Sequence, residues 1–371
     1  MKTQKINVFV VEDSPVAQLL LVHILNSDPR LHVIGMASNG EEALAFLKWN
    51  KPDVINVNKP DVIVMDIHMP GMDGYEVTRR IMETQPVPIV VCSASVNPAE
   101  VATTFRALEA GALAVAAKPV GLGHQEYANM AARLVEAVAL MSEVRVVRRW
   151  PRAGQADAPA VIPAAPKVEA AASGIQVVAI GTSTGGPPAL RTILAGLPRD
   201  FPIPVLIVQH IAAGFLAGLV EWLAQTTGFP IHIATHGEPV LPGRAYLAPD
   251  GVHMGLGANG QIALSKQAPD NGLRPSVAHL FRSVASVCGG SAAGVLLTGM
   301  GRDGAEELKH LRNLGAFTIA QDAESSVVHG MPGEAIKLGA AGYILAPDKN
   351  PAVLSALAAK KSNEPRAPSR Q

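Results

Sequence analysis

Gln176-Val177-Val178-Ala179-Ile180-Gly181-Thr182-Ser183-Thr184-Gly185-Gly186 sets the architecture of the second half of this chain. Gln176–Ile180 is dominated by apolar and β-branched residues, as a strand buried in a parallel sheet requires. Small and hydroxyl-bearing residues then turn the chain, and Pro187–Leu197 carries a helical pattern. Two later segments repeat the design. Pro204–Val208 runs into Gln209-His210, and Gly294–Leu297 runs into Thr298-Gly299-Met300-Gly301-Arg302-Asp303-Gly304. Open α/β sheets carry their chemistry at the carboxyl ends of strands, beside the point where strand order reverses. A serine, a histidine and an aspartate at three such ends are the parts of an activated nucleophile.

Each part has a plainer reading when taken alone. The glycine turn around Ser183 suits a phosphate or a serine N-cap as well as a developing oxyanion at a helix N-terminus. A lone His210 after an apolar run suits a packed core residue, and Asp303 suits a cap. The string also fits the G-x-S-x-G elbow of α/β-hydrolases, but that fold places its histidine last in the chain. Here His210 precedes Asp303, so the elbow match is coincidental.

The first half repeats the strand-end logic. Glu12-Asp13 follows Ile6–Val11, Asp66 follows Asp61–Met65, Ser93 follows Pro88–Cys92, and Lys118-Pro119 follows Leu113–Ala117. Helical patterns such as Val16–Leu25 and Glu41–Trp49 separate them, giving repeated βα units. Carboxylates at two strand ends suit Mg²⁺, Asp66 beside that ion is a nucleophile for phosphoryl transfer, and Lys118 can neutralise the product.

Together with Arg274-Pro275-Ser276-Val277, Leu280-Phe281 and Ser326-Val327-Val328-His329-Gly330-Met331-Pro332, the serine, histidine and aspartate blocks resemble the chemotaxis protein-glutamate methylesterase family (CheB). The first half resembles response-regulator receiver domains, which that family carries. The expected fold is α/β, with two doubly wound parallel-sheet domains: a flavodoxin-like receiver over 1–145 and a Rossmann-like methylesterase domain over 175–358. Residues 146–174, rich in proline and alanine, read as a semi-extended mobile tether, and 359–371 as a polar, frayed tail.

The resemblance implies a phosphorylation-regulated hydrolase that demethylates glutamate methyl esters and deamidates glutamines on methyl-accepting chemoreceptors, giving sensory adaptation. It implies Ser183 as nucleophile, His210 as base and Asp303 as orienting acid, with the backbone N–H groups of Thr184 and Met300 as oxyanion donors. It further implies Asp66 as the phosphorylated residue and Ser93 and Lys118 as the receiver switch. Mg²⁺ for that phosphorylation would be held by Glu12, Asp13, Asp66 and the His68 backbone carbonyl. The esterase step needs no cofactor. A chemotaxis histidine kinase supplies the phosphate, and the unphosphorylated receiver covers the esterase cleft.

Several positions depart from the family pattern. Ala212-Ala213 replaces Pro-Pro after the histidine, Leu216 replaces a threonine, and Ala278 replaces the acid after Arg-Pro-Ser-Val. Val115 stands where receivers usually carry an aromatic, so an aromatic rotamer switch cannot operate in its usual form.

Composition narrows the partners. The 371 residues carry zero formal charge and no basic run, which gives no electrostatic support for nucleic acid binding. No apolar stretch has membrane-spanning length, and Ile6–Val11 begins too early for a signal peptide. The expectation is a cytoplasmic monomer recruited to receptor arrays, with Cys92 and Cys288 as reduced core thiols. A receiver-regulated nucleotide-binding module is the alternative. It would want a carboxylate at the next strand end, where Gln209-His210 stands, while Asp200 lies in the preceding loop. A DNA-binding output would need a helix-turn-helix, and the second half instead alternates strands and helices.

One local repeat bears on the acceptor. Lys51-Pro52-Asp53-Val54-Ile55-Asn56-Val57-Asn58 is followed at once by Lys59-Pro60-Asp61-Val62-Ile63-Val64-Met65-Asp66. Only the second copy ends in a carboxylate, and Asn56 suits a buried strand poorly, so the second copy should supply the central strand. Residues 51–58 then form an extended surface loop, an insertion of low entropic cost. Deleting Lys51–Asn58 should leave a folded receiver that still takes phosphate on Asp66. Loss of phosphorylation with an intact esterase half would put the strand in the first copy instead.

Overall fold

In the computed structural model, residues 5–49, 59–94, 98–144, 146 and 174–359 are described. The chain divides into two compact units, Met1–Ala158 and Pro159–Gln371. The tether expected between them, the tail from 360 and the first repeat copy lie outside the described residues.

The first unit alternates strand and helix: β1 Ile6–Val11, α1 Pro15–Ser27, β2 Leu31–Ala37, α2 Gly40–Trp49, β3 Val62–Asp66, α3 Gly74–Thr84, β4 Ile89–Ser93, α4 Pro98–Ala110, β5 Ala114–Ala117 and α5 Tyr127–Ser142. The sheet runs β2-β1-β3-β4-β5, parallel throughout. β3 comes from the second repeat copy and is central, every residue of it buried. Its Val62, Ile63, Val64 and Met65 are fully covered because helices pack on both faces of such a sheet. Short side chains set the helix starts. Ser14 caps α1 ahead of Pro15, and Asp73 caps α3 by accepting from the Glu76 N–H at 2.8 Å.

The second unit runs β6 Val177–Thr182, α6 Gly186–Gly196, β7 Val205–Gln209, α7 Leu216–Thr227, β8 Ile231–Ile233, β9 Ala245–Leu247, β10 His253–Leu256, β11 Ile262–Ser265, α8 Val277–Cys288, β12 Ala292–Leu296, α9 Ala305–Asn313, β13 Phe317–Gln321, α10 Met331–Lys337, β14 Tyr343–Leu345 and α11 Asn350–Ala359. Seven strands form a parallel sheet in the order β14-β13-β12-β6-β7-β9-β8, and β10-β11 is a separate antiparallel hairpin. Strand order reverses at β6, which lies between β7 and β12. Chain therefore leaves the sheet from three adjacent strand ends at the place where ligands bind in such folds. The core there is built from Val177, Ala179, Leu206, Val208, Leu296 and the buried face of α8 at Val277, Leu280, Phe281 and Val284.

Candidate active site and acid pocket

Ser183 follows β6, His210 follows β7, and Asp303 lies in the turn from β12 to α9. The strand ladder carries them together. Thr182 is the register partner of Gln209, and the His210 N–H donates to the Thr182 carbonyl at 2.9 Å. On the other flank, the Ser183 N–H and the Thr182 hydroxyl both donate to the Thr298 carbonyl, at 3.0 and 3.1 Å. Thr298 also ties two further loops: its hydroxyl donates to the Thr184 carbonyl at 2.9 Å and accepts from the Val328 N–H at 3.0 Å.

Asp303 does not cap its own helix; Gly304 occupies the N-cap of α9. Its carboxylate instead accepts from the first two backbone N–H groups of α8, Val277 at 2.7 Å and Ala278 at 3.0 Å. Those are the orphan donors at the positive end of a helix, a place that suits an acceptor oxygen. The bonds use the backbone of residue 278, so the alanine found there leaves the anchor intact. His210 Nε2 lies 3.0 Å from Asp303 Oδ2, off the line of a hydrogen bond. Ser183 Oγ makes no hydrogen bond among the described residues, a looseness common in catalytic groups before substrate arrives.

Ser183 precedes the N-terminus of α6 without being its N-cap: the helix begins at Gly186 and is capped by Gly185 with φ +78°. That left-handed residue turns the chain between serine and helix, and the Gly186 N–H closes back onto the Ser183 carbonyl at 2.9 Å. The N–H groups of Thr184 and Met300 have no acceptor among the described residues.

Gly299 makes the close packing possible. A Cβ there would lie 2.7 Å from Ser183 Cβ and 2.5 Å from Met331 Sδ. Gly299→Ala should therefore displace the serine turn. A loss of about 10²-fold in kcat is expected from misplacement, together with roughly 1–3 kcal/mol of stability from overpacking. Urea unfolding and turnover measured on the same preparation check both.

A second polar cluster lies nearby. His253, Asp270 and His279 bring ligand atoms within 4.8 Å of one another. The two imidazoles stack with centroids 4.6 Å apart and 18° between planes, which turns their in-plane lone pairs away from a common point. Arg282 also pairs with Asp270. With the Ser276 hydroxyl donating to Asp270 at 2.9 Å, this network braces the start of α8, and hence the donors that hold Asp303.

In the first unit, Glu12 and Asp13 follow β1, Asp66 ends β3, Ser93 ends β4 and Lys118 follows β5. Carboxylate oxygens of Glu12, Asp13 and Asp66 lie within 4.8 Å of one another. Lys118 Nζ donates to Glu12 Oε1 and to Asp66 Oδ2, both at 3.0 Å. Its N–H donates to the Ser93 carbonyl at 2.8 Å. Asp66 Oδ1 accepts from the Ile67 N–H at 2.8 Å and, more distantly, from His68 at 3.4 Å. Burial pushes the Glu12 carboxyl up, against the pull of Lys118. Burial draws the Lys118 ammonium down, but its bonds to Glu12 and Asp66 more than reverse this and leave it raised. One ammonium faces three carboxylates, and Glu12 Oε2 is buried without an aligned hydrogen bond although Lys118 Nζ is 2.7 Å away. The surplus negative charge and all-oxygen donors fit a hard divalent cation. Cys92, buried beside this pocket, is pushed up to about 12 by burial, so it is no nucleophile.

The two sites define a receiver-type acid pocket in one unit and a serine, histidine and aspartate at neighbouring strand ends in the other. Residues 8–126 match the model for the response regulator receiver domain, and residues 178–354 match the model for CheB methylesterase. A protein-glutamate methylesterase/protein-glutamine glutaminase of Nitrosospira multiformis is 52% identical over 356 residues, covering 96% of this chain and 98% of that protein. One from Geobacter metallireducens is 52% identical over 357 residues, covering 96% of this chain and all of that protein. The crystal structure of the Thermotoga maritima CheB methylesterase catalytic domain aligns with 38% identity and a TM-score of 0.48, over 50% of this chain and all of that one. This chain belongs to the CheB family of receiver-bearing protein-glutamate methylesterases. No helix among the described residues is long and apolar enough to cross a membrane.

Proposed function

We propose that the chain hydrolyses glutamate methyl esters, and deamidates glutamines, on methyl-accepting chemoreceptors, using Ser183, His210 and Asp303. The observation that carries this reading is Asp303, held by two helix N–H groups with one oxygen 3.0 Å from His210 Nε2. With Nε2 facing Asp303 at 3.0 Å, Nδ1 is the nitrogen left to take the Ser183 proton. Ser183 Oγ attacks the ester carbonyl, His210 accepts its proton, and Asp303 stabilises the imidazolium. The N–H groups of Thr184 and Met300 receive the oxyanion. Collapse breaks the C–O bond to the methoxy group, and His210 returns the proton to give methanol. Water, deprotonated by His210, then cleaves the acyl-enzyme to glutamate and restores Ser183. From glutamine the leaving group is ammonia.

The receiver regulates that reaction. Asp66 accepts a phosphoryl group from a chemotaxis histidine kinase, and Lys118 pairs with the charge that results, with Ser93 beside it. Glu12, Asp13, Asp66 and the His68 carbonyl would hold Mg²⁺, which when bound neutralises charge on the phosphoryl oxygens. The protein acts as a monomer at receptor arrays in the cytoplasm, and residues 146–174 tether its domains. A nucleotide-binding reading is disfavoured because β7 ends in Gln209 rather than an acid. Methanol release from methylated receptors, with and without acetyl phosphate and Mg²⁺, tests the proposal. No methanol under either condition would overturn it.

A further inference from the structure

We infer that Gln209 is a positioning residue for this hydrolysis, its amide clamping the carbonyl oxygens of Ser183 and His210 and so fixing nucleophile and base relative to each other. The inference rests on the reaction proposed above. Gln209 ends β7 and is 4% exposed. Its Nε2 donates to the Ser183 carbonyl at 2.8 Å and to the His210 carbonyl at 2.8 Å. A side-chain amide nitrogen carries two protons, and both are used here. Turned the other way, the amide oxygen would face two carbonyl oxygens, so electrostatics set its orientation.

The clamp sits where the sheet stops. The β6-β7 register ends at Thr182 and Gln209, and the His210 N–H to the Thr182 carbonyl is the last ladder bond. Beyond it the two chains diverge into separate turns. Gln209 adds one rung past the end of the sheet, joining the residue that attacks to the residue that takes its proton. Its Oε1 is buried without a donor, so the side chain contributes through the two donated bonds alone. Gly186 leaves the room: a Cβ there would overlap Gln209 Oε1.

A positioning role predicts a loss in kcat with little change in KM, because receptor contacts are untouched while Ser183 and His210 drift apart. The test uses the full chain, phosphorylated with acetyl phosphate in Mg²⁺, well below the melting temperature of each variant. Gln209→Leu should lower kcat for methanol release by about 10²-fold, the scale of an ångström-sized misplacement. Labelling of Ser183 by a sulfonyl fluoride should slow in parallel, and phosphorylation of Asp66 should proceed at the wild-type rate. Gln209→Glu keeps length and polarity but turns acceptors toward the two carbonyls, and should lose at least as much. It serves as the test if the leucine variant does not fold. Wild-type kcat in a folded Gln209→Leu or Gln209→Glu protein, or a loss confined to KM or to melting temperature, would overturn the clamp. Ser183→Ala run alongside separates the two claims. If it releases methanol normally, the serine mechanism fails and the clamp with it; if it is inactive while the Gln209 variants are normal, only the clamp fails.

Discussion

Ser183→Ala is expected to lower turnover by roughly 10⁴–10⁶, the range met when members of such triads are removed elsewhere. His210→Ala should lose a similar factor, because a neutral serine hydroxyl without its base is a poor nucleophile. Asp303→Ala should be milder in turnover, since nucleophile and base both remain. It carries a second cost that the others lack. The Val277 and Ala278 N–H groups lose their shared acceptor, so α8 starts with two buried donors unpaired. A stability loss of about 1–3 kcal/mol should accompany it. Asp303→Asn would separate the effects, because its amide oxygen can still accept one of those bonds. Double and triple variants should lose little beyond Ser183→Ala alone. Near-normal methanol release from folded Ser183→Ala protein would refute the mechanism.

Asp66→Asn should abolish phosphorylation, since the amide replaces the carboxylate that attacks phosphorus and removes one of the three acids gathered within 4.8 Å. The variant should remain at the basal esterase rate whatever phosphodonor is added. A fragment starting near Gly174 should exceed the unphosphorylated full chain in methanol release, because it lacks the regulatory receiver. A tenfold difference needs only about 1.4 kcal/mol of bias between inhibited and active forms. Radiolabel uptake from acetyl phosphate checks the first expectation, and initial rates of fragment and full chain check the second. Equal basal rates would argue that the receiver does not inhibit here.

The long apolar strands could be read with little ambiguity. Ile6–Val11 is β1 to the residue, and the runs before Asp66, Ser93, Ser183 and His210 differ from the observed strands by one or two positions at their ends. Such strands are buried on both faces and spell themselves out as unbroken hydrophobic runs. The stretch from Ile231 to Ser265 was not legible in this way. It holds β8, β9 and the β10-β11 hairpin, three or four residues each, with Gly and Pro between them. Periodicity needs more residues than these supply. Gln209 was visible only as a non-acidic strand end, because its function depends on two carbonyls that no side-chain pattern records.

The sequence by itself determined the fold class, the two-unit order and the identity of the chemical groups, because strand hydrophobicity and strand-end residue type are local properties. It also chose the second repeat copy for β3, since one copy carries apolar residues up to a carboxylate and the other does not. Only the tertiary structure decided what holds those groups in place. Asp303 is anchored by backbone N–H groups 26 and 25 residues earlier in the chain. Ser183 is seated on the carbonyl of Thr298, and Gln209 bridges Ser183 and His210. Each of these bonds has a backbone N–H or carbonyl on at least one side, and nearly every residue offers the same backbone donor and acceptor. Which of them meet is fixed by strand order and register, which come into being only when the sheet assembles.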